Sequence, residues 1–190
     1  VAATANLKLR KGQWYYEVEI TKCGLAQIGF ASSAYEGGDS EKGDGVGDDE
    51  HSWAFDGTRV LKWHKGANNK YGREWKVGDV VGCCIDMDSR SIKFSLNGSF
   101  DSPMGIAFDN IDADIEYMYP AITINNSFGG VVCFGGGMHG STKYDPPLGY
   151  RCIFEAYDLP ALDGHADSYR GEQTISSNAR NEFALWVDDS

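Results

Sequence analysis

The 190-residue sequence predicts an all-β domain, a two-sheet antiparallel β-sandwich followed by one short C-terminal helix. Three observations predict it. Apolar residues alternate strictly in several short runs, turn signals recur roughly every ten residues, and no helical period runs through residues 1–140. Composition agrees, since 13% aromatics, 24 glycines and five prolines suit short strands joined by tight turns.

The first strand is Trp14–Ile20. Trp14, Tyr16, Val18 and Ile20 share one face and Tyr15, Glu17 and Glu19 the other, as in a half-buried strand. Ala26–Ala31 repeats the pattern with Ala26, Ile28 and Phe30, and the short Lys22–Gly24 link predicts a hairpin between the two. Residues 35–50 break the alternation with repeated glycines and seven acids, which predicts a long exposed loop.

Strands resume at Ser52–Asp56 and Arg59–His64, divided by the turn dipeptide Asp56-Gly57. Residues 65–75, with Asn68, Asn69, Tyr71 and Gly72, predict another loop. Val80–Asp86 and Ser91–Leu96 form the clearest hairpin, with Ile92, Phe94 and Leu96 inward, and Asn97-Gly98 makes the next reversal. Tyr119–Ile124, bent at Pro120, and Val131–Phe134 add two strands. Beyond Asp145-Pro-Pro the pattern changes. Residues 158–176 are polar and aperiodic, whereas Ala179, Phe183, Trp186 and Val187 fall on one face of a helix over 178–187. The expected organisation is a sandwich over 1–155 and a C-terminal loop and helix over 156–190.

Charge and cysteine usage exclude some classes. A net charge of −11 argues against a nucleic-acid backbone as partner, because phosphate binding needs clustered Lys and Arg. No run approaches the ~18 apolar residues of a membrane helix, so no direct membrane contact is expected. Cys23, Cys83, Cys84, Cys133 and Cys152 are odd in number and form no CxxC pair. They read as reduced residues of a cytoplasmic protein, in which the sequons at Asn97 and Asn125 stay unglycosylated. The chain begins at Val1, as expected of a piece excised from a longer protein.

No constellation points to catalysis or metal. The acids Asp39, Glu41, Asp44, Asp48, Asp49 and Glu50 lack the spacing of a calcium loop and read as a solvated loop. A basic peptide is the more reasonable occupant. His51, His64, His139 and His165 have no zinc-like partners, and a Cys152–His139 pair would need a thiol activated inside an apolar run. The Gly129-Gly130 and Gly135–Gly137 runs lack the GK[ST] of a phosphate loop.

GQWYYEVEI at 12–20, QIGFA at 27–31, HSWAFDG at 51–57, GDVVGCCIDMDSRSIKFSLNG at 78–98 and YPAITI at 119–124 resemble the SPRY domain, the core of the B30.2 module. The likeness covers about residues 8–155, with the motifs in family order. It is most similar to SPRY domains embedded in large proteins such as ryanodine receptors and large ubiquitin ligases. The resemblance implies a bent two-sheet antiparallel sandwich of jelly-roll type, without catalysis or cofactor, that binds protein partners through loops at one end. Relatives that grip acidic peptides carry a basic residue, an aromatic and an Arg at positions matching Gln27, Asp48 and Asp56. Their replacement here implies a neutral or basic partner.

On this reading Tyr35, Asp48, Asp56, Arg59, Tyr71 and Asn125 form the contact surface, with the loop aromatics Tyr35 and Tyr71 as anchors. Replacing Asp48 and Asp56 by Lys should then abolish capture and leave the melting temperature nearly unchanged. The rival expectation is a packing domain that meets only neighbouring domains of one very large chain. A lectin-like carbohydrate binder is disfavoured by the reduced cysteines.

Overall fold

A computed structural model describes residues 2–4, 7–37, 43–136, 141–157 and 183–184. Thirteen strands are found there: β1 (Ala2–Thr4), β2 (Gln13–Lys22), β3 (Ala26–Ser32), β4 (Ser52–Asp56), β5 (Leu61–His64), β6 (Ala67–Lys70), β7 (Val80–Asp86), β8 (Ser91–Leu96), β9 (Gly105–Phe108), β10 (Met118–Ile124), β11 (Gly129–Cys133), β12 (Arg151–Cys152) and β13 (Phe183–Ala184). They form two sheets. The first runs β1-β10-β3-β4-β5-β6 and the second β13-β11-β2-β7-β8-β9, with β12 also on β2. Every pairing is antiparallel except β12 with β2.

The alternating faces decide the layering. Trp14, Tyr16, Val18 and Ile20 of β2 meet Ala26, Ile28 and Phe30 of β3 in one buried cluster, and the Tyr16 ring stands edge-on to Phe30 at 5.4 Å. Burying each such large side chain stabilises the fold by about 1.5–3 kcal/mol. Phe55, Tyr71, Trp75 and Phe94 continue the core at one end through edge-on and tilted ring contacts.

The link between β2 and β3 is not a hairpin, because the two strands lie in different sheets. Both present apolar faces inward, and facing each other across the core buries both at once. Gly24 makes the crossing possible, since a Cβ there would lie 2.4 Å from the Phe128 backbone nitrogen.

Three other expectations are corrected. Residues 65–75 contain β6, which pairs with β5 across the two-residue turn Lys65-Gly66. The β4–β5 turn spans residues 57–60, so β5 begins at Leu61 rather than Arg59. The helical turn near the C-terminus is a 3-10 segment at Ile153–Tyr157. Of the helix expected over 178–187, only Phe183 and Ala184 are described, and they run as a strand against Val132 and Val131.

Residues 141–157 pack over the outer face of the second sheet. The Glu17 carboxylate accepts the Lys143 N–H at 2.6 Å, the Tyr144 N–H at 2.9 Å and the Tyr15 hydroxyl at 2.7 Å. Tyr150 lies against the Lys93 ammonium, 4.1 Å from the ring centre, and Arg151 covers Trp14 at 4.7 Å. The second face of β2 is therefore buried as well.

Candidate functional site

The outer face of the first sheet is set by register. Ala54 pairs with Trp63 and Phe55 with Lys62, so Trp63 shares the side of Ala54, opposite the core-facing Phe55. A second, smaller apolar cluster gathers there: Ala31, Tyr35, Val46, Ala54 and Ala121, with Trp63 and Tyr119 against it. The loop at 43–50 folds down over this face. The Val46 N–H donates to Thr123 Oγ1 at 2.9 Å and the Gly47 N–H to Ser52 Oγ at 2.7 Å. Gly47 is pressed against Trp63 in a left-handed conformation (φ 101°), where a Cβ would meet the Trp63 Cβ at 2.6 Å.

Asp48 sits in this loop, its Oδ2 accepting the Gly45 N–H at 2.8 Å and the Gln27 amide at 3.4 Å. The Arg59 guanidinium lies 4.3 Å from the centre of the Trp63 ring, which the loop touches at Gly47, and pairs with Asp56 at 2.5 Å. The Trp63 indole Nε1 is shielded from solvent and has no hydrogen-bond partner among the described residues. The Asp56 carboxylate, the Arg59 guanidinium and the Trp63 indole thus adjoin at the margin of this buried apolar cluster, with Trp63 half-buried and Arg59 exposed.

The six expected contact residues separate into groups. Asp56 and Arg59 are in direct contact, and Asp48 and Tyr35 belong to the same face. Asn125 lies at the neighbouring sandwich end, where its Oδ1 accepts the Leu25 and Ser127 N–H groups. That end reaches the Asp56 turn through Thr58, whose hydroxyl donates to the Gly24 carbonyl at 2.6 Å. Tyr71 is elsewhere, edge-on to Phe55 in the main core and bonded to the Gly105 carbonyl.

Exposure corrects the roles. Tyr35 and Tyr71 are each only 8% exposed, so neither protrudes as an anchor. Asp56 is fully buried, its Oδ1 accepting the Thr58 and Arg59 N–H groups at 2.8 and 3.0 Å. It caps a turn, and it is not the exposed charge that a cost-free Asp56→Lys exchange requires. Of the acidic loop, Asp39 and Glu41 lie outside the described residues.

Trp63 was not among the six expected contact residues, although it lies against Arg59 and Gly47. The alternation could have found it, since any register that keeps Phe55 inward and pairs odd with even positions puts Trp63 on the side of Ala54.

Burial raises the Cys83, Cys84 and Cys152 thiols above their ordinary range, which keeps them protonated. Burial, followed by the nearby Asp49 charge, also raises the Tyr35 hydroxyl. Among the described residues no three His, Cys, Asp or Glu side chains group as metal ligands, and no helix is long and apolar enough to cross a membrane.

Comparison with known proteins agrees with the architecture. A family model described as SPRY domain matches residues 13–137. The chain is 42% identical over 127 residues to the E3 ubiquitin-protein ligase RKP of Arabidopsis thaliana, a match covering 65% of this chain and 9% of that ligase.

Proposed function

The chain belongs to the SPRY domain family, and from that premise we infer a non-catalytic protein-interaction module within a larger protein. It recognises a short peptide segment through the loops on the outer face of the first sheet. The observation that carries this reading is the Trp63–Arg59–Asp56 arrangement, against which the loop carrying Asp48 packs at Gly47. A half-buried Trp stacked with an exposed Arg presents two of the residue types that dominate binding energy at protein interfaces. Asp44, Asp48, Asp49 and Glu50 border the face, which favours a neutral or basic peptide. The five cysteines, none in a disulfide, fit a cytoplasmic setting. By analogy with RKP, the host protein would be a large ubiquitin ligase and the peptide part of a client.

The test is a pull-down from cytosolic extract by the 190-residue chain, with Asp48→Lys and Trp63→Ala compared with wild type. A protein held by wild type and released by both variants supports the reading. A partner held equally by all three overturns this choice of surface.

One observation favours a second reading, a packing domain of a very large chain. Leu148 is wholly exposed and Ile106 is 66% exposed, both away from the outer face of the first sheet. Apolar side chains left this open are suited to cover by a neighbouring domain. Under that reading the full-length protein, and not the isolated chain, protects Leu148 and Ile106 from solvent.

A further inference from the structure

We propose that β6 is a docking edge, to which an extended acidic segment of a partner protein adds as a further strand of the first sheet. This surface is distinct from the Trp63 face and does not depend on it.

The hydrogen-bonding pattern follows from the turn. Lys65 and Gly66 both have positive φ (57° and 67°), and His64 pairs with Ala67, as in a two-residue hairpin of the twisted type. The residues flanking such a turn exchange both backbone hydrogen bonds, and the pattern then alternates. His64–Ala67 and Lys62–Asn69 are the bonded pairs, which the Tyr71 N–H donating to the Val60 carbonyl at 3.1 Å continues. Asn68 and Lys70 therefore turn their N–H and C=O groups away from β5, towards the open side of the sheet. All four residues of β6 are exposed, and among the described residues the sheet ends there.

The opposite treatment of β9 makes this edge informative. β9 also ends its sheet, but the Tyr71 hydroxyl bonds the Gly105 carbonyl and the Lys62 ammonium the Ala107 carbonyl. These two acceptors are satisfied by side chains of the same chain. No described side chain does the same for β6. An unpaired edge is a template for strand addition unless it is covered.

Charge selects the occupant. Residues 59–76 hold six of the 17 Lys and Arg and one of the 28 Asp and Glu, a basic stretch in a chain of net charge −11. Lys65, Lys70 and Arg73 are exposed along and beside the edge. The nearest acids at the hairpin end, Asp48 and Asp49, are bonded within their own loop, Asp48 to Gly45 and Asp49 to Ser52 and His51. A strand bearing Glu or Asp at alternate positions gains main-chain hydrogen bonds from Asn68 and Lys70 and attraction from the Lys and Arg side chains.

The test titrates the isotope-labelled 190-residue chain with an eight-residue peptide alternating Glu and Val, and with its Lys-Val counterpart. The expected result is slowed exchange of the Asn68 and Lys70 amides with the Glu peptide, and binding at least tenfold weaker for the Lys peptide. Asn68→Pro removes an outward N–H that β5 does not use, and should abolish that binding. Should this variant misfold, Lys65→Glu with Lys70→Glu, at two exposed positions, replaces it and should weaken the Glu peptide at least tenfold. Failure of the Glu peptide to bind, equal binding by wild type and the folded variants, or shifts confined to residues 43–59 would overturn the proposal.

Discussion

The carboxylate of Glu17 accepts the backbone N–H of Tyr144 at 2.9 Å, joining residues 127 positions apart, and Glu17 is only 2% exposed. A charged group in that position is tolerable because its oxygens also accept the Lys143 N–H and the Tyr15 hydroxyl. The neighbouring Glu19–Lys143 ion pair, at 2.6 Å, adds little by comparison because it is largely solvated. Residues 143 and 144, beyond the family match, are thereby fastened to the second sheet.

Glu17→Ala leaves two backbone N–H groups and a tyrosine hydroxyl without their acceptor. The expected loss is about 3 kcal/mol in urea denaturation, with faster hydrogen exchange at Lys143 and Tyr144. Unchanged exchange at those two amides would show that Glu17 does not hold the segment.

Gly29 marks the closest approach of β3 to β4, where a Cβ would stand 2.0 Å from the Trp53 carbonyl oxygen. The obstacle is backbone within a sheet and cannot rotate aside. Gly29→Ala should cost about 2 kcal/mol or more, read from the urea midpoint. A variant as stable as wild type would mean that the two strands can separate at no cost.

Asp56 and Asp48 should respond differently to the same truncation. Asp56→Ala removes a buried acceptor of two N–H groups together with the partner of Arg59, at a cost of about 3 kcal/mol. Asp48→Ala, at a half-exposed loop position, should cost at most about 1 kcal/mol. Equal shifts in thermal midpoint would contradict this division into turn cap and surface group.

Asp86 supplies a pH dependence. Burial pushes its carboxyl up, but bonds from the Ser89 and Asp88 N–H groups and from the Gln13 amide outweigh that and hold it below the ordinary value of 3.8. A depressed carboxyl contributes stability that is present above its unfolded value and lost as pH falls through the folded one. Asp86→Asn should therefore be less stable than wild type at pH 7, by about 1 kcal/mol, and the gap should narrow below pH 3.8. A gap that stays constant on acidification would place the effect outside ionisation.

The sequence by itself determined the strands, because alternation is a local signal. β2, β3, β7, β8 and β10 stand where their apolar periods put them, and the inward faces of β2 and β3 are those that Trp14, Tyr16, Ile28 and Phe30 define. Tertiary structure decided which sheet each strand joins. Three residues between β2 and β3 permit either a hairpin or a crossing, and only the gain from burying two apolar faces against each other selects the crossing. It also decided the character of the site. Whether Asp56 is a free charge or a turn cap, and whether Tyr35 and Tyr71 protrude or pack, depend on how the chain folds around them, Tyr35 under the loop at 43–50 and Tyr71 against Phe55. Those are long-range contacts. Ala67–Lys70 shows the same limit, since Ala-Asn-Asn-Lys has no strand period and becomes a strand only because the Lys65-Gly66 turn brings it alongside β5.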